Sequence, residues 1–230
     1  MFQLSPDLES FREDARRMAE RAFRAKAAYW DEQEEYPQEN RDLLAELGYL
    51  GLVIPEEYGG AGAPVIQGTI LVEEVARVCF NTALVTQVAR NGPARAVAIL
   101  GSEEQKRRWL PGCVSGKHLF AIGISEPGAG SAMTDMSTSA TPDGEHIVLN
   151  GQKAFCTSGH LATHVFVFAR WGKTQGPRGI GALMVERGTP GFEIGHPAPK
   201  MGGRGVPEVE LYFDHCRVPA ENLIMAGDPD

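Results

Sequence analysis

The sequence predicts an α+β protein: an N-terminal all-α helical domain over residues 1–115, then an antiparallel β-barrel or sandwich over residues 116–230. Three observations predict it. Of the 27 glycines, 9 lie in residues 1–115 and 18 in residues 116–230. Up to about residue 112 apolar side chains recur every three or four positions, the helical repeat, and after Gly116 the repeat becomes two. The second half shows no strand–helix alternation of the kind that builds a parallel α/β sheet.

Ser5-Pro6-Asp7 suits a helix start, because a serine can cap and proline lacks the N–H that would go unpaired at the first helical position. Leu8, Phe11, Ala15, Met18, Ala22, Ala25 and Tyr29 then share one face. Phe11, Phe23 and Trp30 read as core or interface residues on that face. Pro37 opens a second helix that Gly48 stops. Residues 49–64 carry four glycines and two prolines and read as a loop. Residues 65–90 are helical with a break expected near Asn81, and Asn91-Gly92-Pro93 ends them. A short apolar helix follows over residues 94–100. Ser102 and Gln105 form a capping box for the next helix, which Pro111-Gly112 is expected to end.

In the second half, residues 164–170 alternate strictly and are rich in β-formers. Residues 119–124, 145–150, 180–185 and 208–213 are further strands, and Pro142-Asp143-Gly144 is a turn between strands.

Charge narrows the function. The 230 residues hold 22 Lys and Arg against 30 Asp and Glu, a net of −8, which argues against nucleic acid as a partner because phosphate binding needs a basic surface. No apolar run reaches the length of a membrane span, and Met-Phe-Gln-Leu-Ser-Pro-Asp lacks the pattern of a secretory signal. Cys79, Cys113, Cys156 and Cys216 lie far apart, which suits reduced thiols in the cytoplasm and offers no zinc signature. His160 and His164 have i,i+4 spacing, but they run into a strand, where those positions lie about 13 Å apart, so no metal site is expected. Lys106-Arg107-Arg108 reads as a solvated helix face that a ligand phosphate could also meet.

The densest chemical signal is residues 121–135, Ala-Ile-Gly-Ile-Ser-Glu-Pro-Gly-Ala-Gly-Ser-Ala-Met-Thr-Asp. Small residues let the backbone approach a ligand closely, consecutive N–H groups can hold an anion or a polar ring edge, and Ser125 and Ser131 add hydroxyls. The likeness to a dinucleotide fingerprint is superficial, since Met133 stands at the third glycine.

These residues resemble the acyl-CoA dehydrogenase family, whose middle-domain signature runs Thr/Ser-Glu-Pro-x-Ala-Gly-Ser-Asp; here Ala132 replaces the aspartate. Residues 47–60, residues 101–106 with Leu110-Pro111, residues 149–157, and residues 200–204 with 216–223 resemble further family segments in order. The resemblance implies FAD as cofactor, held by Ile122, Ile124, Ser125, Gly130, Ser131, Phe155, Cys156 and Thr157, with Ser131 also near the acyl-CoA substrate. It implies hydrogen bonds from Ile124 and Ser125 to the polar edge of the flavin, Phe155 where the family often has tryptophan, and Thr157 near flavin N5. No ligand contact is expected from residues 204–206, where the family's usual serine is missing.

The implied reaction is α,β-desaturation of an acyl-CoA thioester, a step of fatty acid metabolism, with hydride passing to the flavin. An electron-transfer flavoprotein or similar acceptor would reoxidise it. The family's general base and C-terminal helical domain are expected beyond Asp230, supplied by a longer chain, a homo-oligomer such as a homotetramer, or a partner chain; residues 1–230 alone are expected to be inactive and to bind FAD poorly. Glu126 is expected to be structural rather than catalytic. An oxidase or desulfinase-type relative, or a non-catalytic flavin- or CoA-binding subunit, are the alternatives.

Overall fold

The helical half follows its apolar faces. In the computed structural model, which describes residues 3–228, α1 runs Pro6–Phe23 and buries Ala15, Ala19 and Phe23. Ser5 makes no side-chain cap; its carbonyl accepts from the Glu9 N–H instead. The expected single helix through Tyr29 is broken by a 3-10 turn at Arg24–Lys26, and α2 resumes at Ala27–Glu32. Next come α3 (Gln38–Glu46), α4 (Val65–Ala76) and α5 (Phe80–Asn91). The break falls at residues 77–79, just before Asn81, which sits in the first turn of α5. Arg16 bridges α1 to α4 by a two-pronged pair with the buried Glu74, both contacts at 2.9 Å.

Helices α6 (Pro93–Leu100) and α7 (Glu103–Val114) complete this half. The Ser102–Gln105 box forms, with bonds of 3.0 and 3.2 Å in the two directions. Pro111 does not end α7 but lies inside its last turn, where a missing N–H costs a single helical bond.

The sheet holds β1 (Phe120–Gly123), β2 (Ser139–Asp143), β3 (His146–Thr157), β4 (His164–Trp171), β5 (Ile180–Glu186), β6 (Phe192–Ile194), β7 (Glu208–Pro219) and β8 (Leu223–Met225). Their order is β6-β7-β3-β2-β4-β5-β8, with β1 also on β4. The sheet is mixed rather than purely antiparallel: β1 and β2 both run parallel to β4. The wide connections between β1, β2 and β4 permit this, since a parallel pair cannot be closed by a tight hairpin. Its core gathers Leu149, Cys156, Val165, Val167, Leu183, Leu211 and Val218.

The chain divides into two compact units whose membership is not contiguous in sequence. The first gathers Arg107–Lys117 and Pro199–Val206 with the chain up to Ala98; the second gathers Ile99–Lys106 with His118–Ala198 and the chain from Pro207 onward. The outer ends of the two expected domains, at Met1 and Asp230, fall outside the described residues.

Candidate functional site

β1 and β2 lie in line along one edge of β4. Gly123 pairs with Val167 and Ser139 with Arg170, so residues 124–138 leave the sheet and return to it within three positions of β4. This excursion is the glycine-rich segment.

Its first and last residues are tied to β3 by a buried ion pair. Lys153 is wholly buried, and its Nζ donates to Glu126 Oε1 at 2.8 Å and to the Ile124 carbonyl at 3.0 Å, with Met136 Sδ at 3.8 Å. Glu126 in turn accepts from the Ser137 N–H (2.6 Å), the Ser137 hydroxyl (2.8 Å) and the Thr138 N–H (2.9 Å). Burial alone would raise the Glu126 carboxyl, but the bonds from Lys153, Thr138 and Ser137 outweigh it and hold it at about 2. A second tether is Arg170, also buried, whose guanidinium donates to the carbonyls of Thr134, Met136, Thr174 and Gly176.

The Ala154 N–H donates to the Ser125 carbonyl at 2.8 Å, which brings the loop entry against residues 154–157 of β3. There β3 bulges, its register against β7 shifting between Lys153 and Cys156. Phe155 takes a left-handed backbone, φ 56°, and its ring is 70% exposed. Such a conformation is strained for an aromatic residue, and an exposed ring at a bulge re-aims a side chain toward whatever covers it. Ser158, three residues on, is left-handed as well, and its buried hydroxyl has no hydrogen-bond partner.

In β1 Ala121 and Gly123 are buried while Ile122 is half-buried, as is Ile124 just past the strand. With the half-buried Ser125 and Thr157 and the exposed Phe155 they supply apolar surface and hydroxyls on residues that the Ala154–Ser125 bond holds together. The Thr157 hydroxyl donates to Glu208 Oε1 at 3.2 Å. Gly130 and Ser131 are exposed in the loop, and a Cβ built on Gly128 or Gly130 meets nothing within 4 Å.

Cys156, which reads by default as a packing residue because nothing beside it suggests a lowered thiol pKa, packs inward. The Cys156 side chain is buried in the sheet core, and burial pushes its thiol up to about 12. Only its main chain is left to meet a ligand. Lys153 and Arg170 were not anticipated from sequence; for Arg170 the signal was an arginine at the end of an apolar strand, while Lys153 follows Asn150-Gly151-Gln152 and carries no such signal.

The whole segment matches known proteins. Residues 5–117 match the acyl-CoA dehydrogenase N-terminal domain and residues 121–216 the acyl-CoA dehydrogenase middle domain. The chain belongs to the acyl-CoA dehydrogenase family. Among curated acyl-CoA dehydrogenase relatives, the cyclohex-1-ene-1-carbonyl-CoA dehydrogenase of Syntrophus aciditrophicus is 38% identical over 97% of this chain and 54% of its own length. The solved butyryl-CoA dehydrogenase of Megasphaera elsdenii is 33% identical with a TM-score of 0.91, covering 100% of this chain and 61% of that one. A glutaryl-CoA dehydrogenase of Mycobacterium smegmatis, solved with FADH2, is 28% identical with a TM-score of 0.88, covering 96% and 56%. The chain thus spans somewhat over half the length of the acyl-CoA dehydrogenases it matches.

Proposed function

We propose that this chain supplies the FAD-contacting part of an acyl-CoA dehydrogenase that desaturates an acyl-CoA thioester between its α and β carbons. The observation that carries this is the pinned glycine-rich loop beside the exposed, left-handed Phe155, in a chain of this family. The residues present fit a flavin: an exposed aromatic ring, apolar Ile122 and Ile124, and the hydroxyls of Ser125 and Thr157 answer a flat ring with a polar edge. When bound, FAD supplies the hydride acceptor of the reaction.

The chain's own residues do the rest of the holding. Main-chain and hydroxyl donors at Ile124 and Ser125 meet the polar edge, and Thr157 exchanges its bond to Glu208 for one to the ring. Phe155 shields a face of the cofactor from water. The open surface around Gly130 and Ser131 leaves room for phosphate and for the acyl-CoA, where Ser131 binds. Residues 1–115 form the helical domain and residues 116–230 the middle domain of the enzyme. The proposal extends to an electron-transfer flavoprotein as acceptor, a homo-oligomeric assembly and a cytoplasmic location; among the described residues no helix is long and apolar enough to cross a membrane.

Glu126 is not the base that takes the α-proton. A base must reach that proton, and this carboxylate is buried with its lone pairs committed to Lys153, Ser137 and Thr138. Titrating FAD into the protein together with the family's C-terminal helical domain, while following flavin fluorescence, tests the cofactor reading; absence of saturable binding there overturns it, while residues 1–230 alone should bind FAD only weakly. Dye-linked turnover with short, medium, branched and ring-bearing acyl-CoAs tests the reaction. Residues 1–230 alone should give none, and turnover by them would place the base inside this sequence.

A further inference from the structure

We propose that Glu126 and Lys153 are positioning residues of the flavin pocket: their buried pair sets where the glycine-rich loop stands relative to Phe155 and Thr157. This rests on the flavin reading above. All three directions of the Lys153 ammonium end on the loop, at its entry (Ile124), in its body (Glu126) and near its exit (Met136). The Glu126 carboxylate carries the tie onward to Ser137 and Thr138, where the chain re-enters β2. One ion pair therefore holds both ends of a fifteen-residue excursion on the strand that bears Phe155 two positions later and Thr157 four positions later.

A buried ion pair is a poor way to gain stability, since desolvation offsets much of its attraction and apolar replacements often hold a fold as well or better. The loop carries one small apolar cluster of its own, Ala129, Met133 and Met136 against Ile180 and Phe168, which anchors its body but not its two ends. Directional bonds from a fixed ammonium and its carboxylate tie the entry at Ile124 and the exit at Ser137 and Thr138, which that cluster leaves to hydrogen bonding. The surrounding core is already filled by Ala121, Leu149, Leu211 and their neighbours. The pair specifies the loop rather than the sheet.

The experiment compares the 230-residue chain with Lys153→Met, Glu126→Gln and the double variant. It reads thermal midpoint, amide hydrogen exchange across residues 124–138, and FAD affinity from fluorescence quenching. Each single variant leaves one buried partner unanswered and should lower the midpoint. The double variant should recover most of the midpoint. Its Ser137 and Thr138 amides should nonetheless exchange at least about tenfold faster and its FAD affinity should fall about tenfold, the scale of one lost hydrogen bond.

Native-like exchange and affinity in a stable double variant would reduce the pair to a structural role and overturn the proposal. If the native chain binds no FAD yet the double variant loses loop protection, the flavin reading fails while the loop-positioning role stands. Should the double variant not fold, Glu126→Asp keeps both charges and shortens the reach. Faster exchange at residues 137–138 supports the proposal there, and unchanged protection overturns it.

Discussion

The main-chain N–H of Arg204 donates to Asp31 Oδ1 at 2.8 Å, joining positions 173 residues apart. The Arg204 guanidinium reaches Asp31 Oδ2 (3.4 Å) and Glu34 Oε1 (3.2 Å), and Asn81 Nδ2 donates to Asp31 Oδ1 at 3.3 Å. This knot fastens residues 199–206 to the helical unit. Gly205 sits so close to α2 that a Cβ there would lie 2.5 Å from the Glu35 carbonyl and 2.7 Å from that of Trp30. Asp31→Ala should therefore destabilise the protein by about 1–2 kcal/mol, the scale of a partly exposed charged hydrogen bond. Trypsin should also cut more readily after Lys200 and Arg204. Unaltered digestion would show that the segment is held without the carboxylate.

Gly151 has φ 145°, and a Cβ there would fall 2.6 Å from the Thr138 Cα. The close approach lets the loop exit lie against β3. Gly151→Ala should cost about 2 kcal/mol or more through strain and a displaced backbone, read as a drop in denaturant midpoint. A midpoint within error of the native value would mean that Thr138 yields freely.

Acid should loosen the protein in a defined window. Glu126 falls from its ordinary 4.5 to about 2 on folding. The side-chain bond from Arg16 pulls Glu74 down in the same direction, and the Arg204 N–H does so for Asp31. A carboxyl depressed by folding contributes stability that is complete above its unfolded value and disappears as pH falls through the folded one. Thermal midpoints should thus hold above pH 5 and drop steeply between about pH 4.5 and pH 2. Glu126→Gln should flatten part of that slope; an identical slope would remove Glu126 from the set.

Ser125→Ala and Thr157→Val each remove one hydroxyl from the proposed flavin wall and should weaken FAD retention about tenfold, one hydrogen bond's worth. Cys156→Ala should leave retention unchanged, because that side chain faces the core. The native Cys156 thiol should also resist iodoacetamide until the protein unfolds, its pKa being near 12. Unchanged flavin content in both hydroxyl variants would count against the assigned wall.

Much of this was legible in sequence because it is local. The capping box at Ser102 and Gln105 is three residues wide, the alternation over residues 164–170 is one strand's own pattern, and the glycine-rich motif is contiguous. What escaped is long-range or set by context. Nothing in Arg24-Ala25-Lys26 disfavours a helix, yet the helix breaks there. The parallel pairing of β1 and β2 with β4 depends on which strands meet, which alternation cannot report. The short strands β6 and β8, three residues each, fall below any repeat. Glu126 was legible as structural, but its partner lies 27 residues away. The packing role of Cys156 was legible as the default for a thiol with no activating neighbour, and the side chain does lie in the sheet core.

Because β1 and β2 are two pieces of one rail beside β4, the span between them works as an exchangeable cassette. Main-chain pairing on β4 sets how Gly123 meets Val167 and Ser139 meets Arg170, while the insert answers to the sheet through Lys153 and Arg170. A segment grafted from another member needs a glutamate for Lys153 and carbonyls in reach of Arg170 to seat on the same rail. Diversification at this spot can then proceed by swapping the insert while the chassis stays constant.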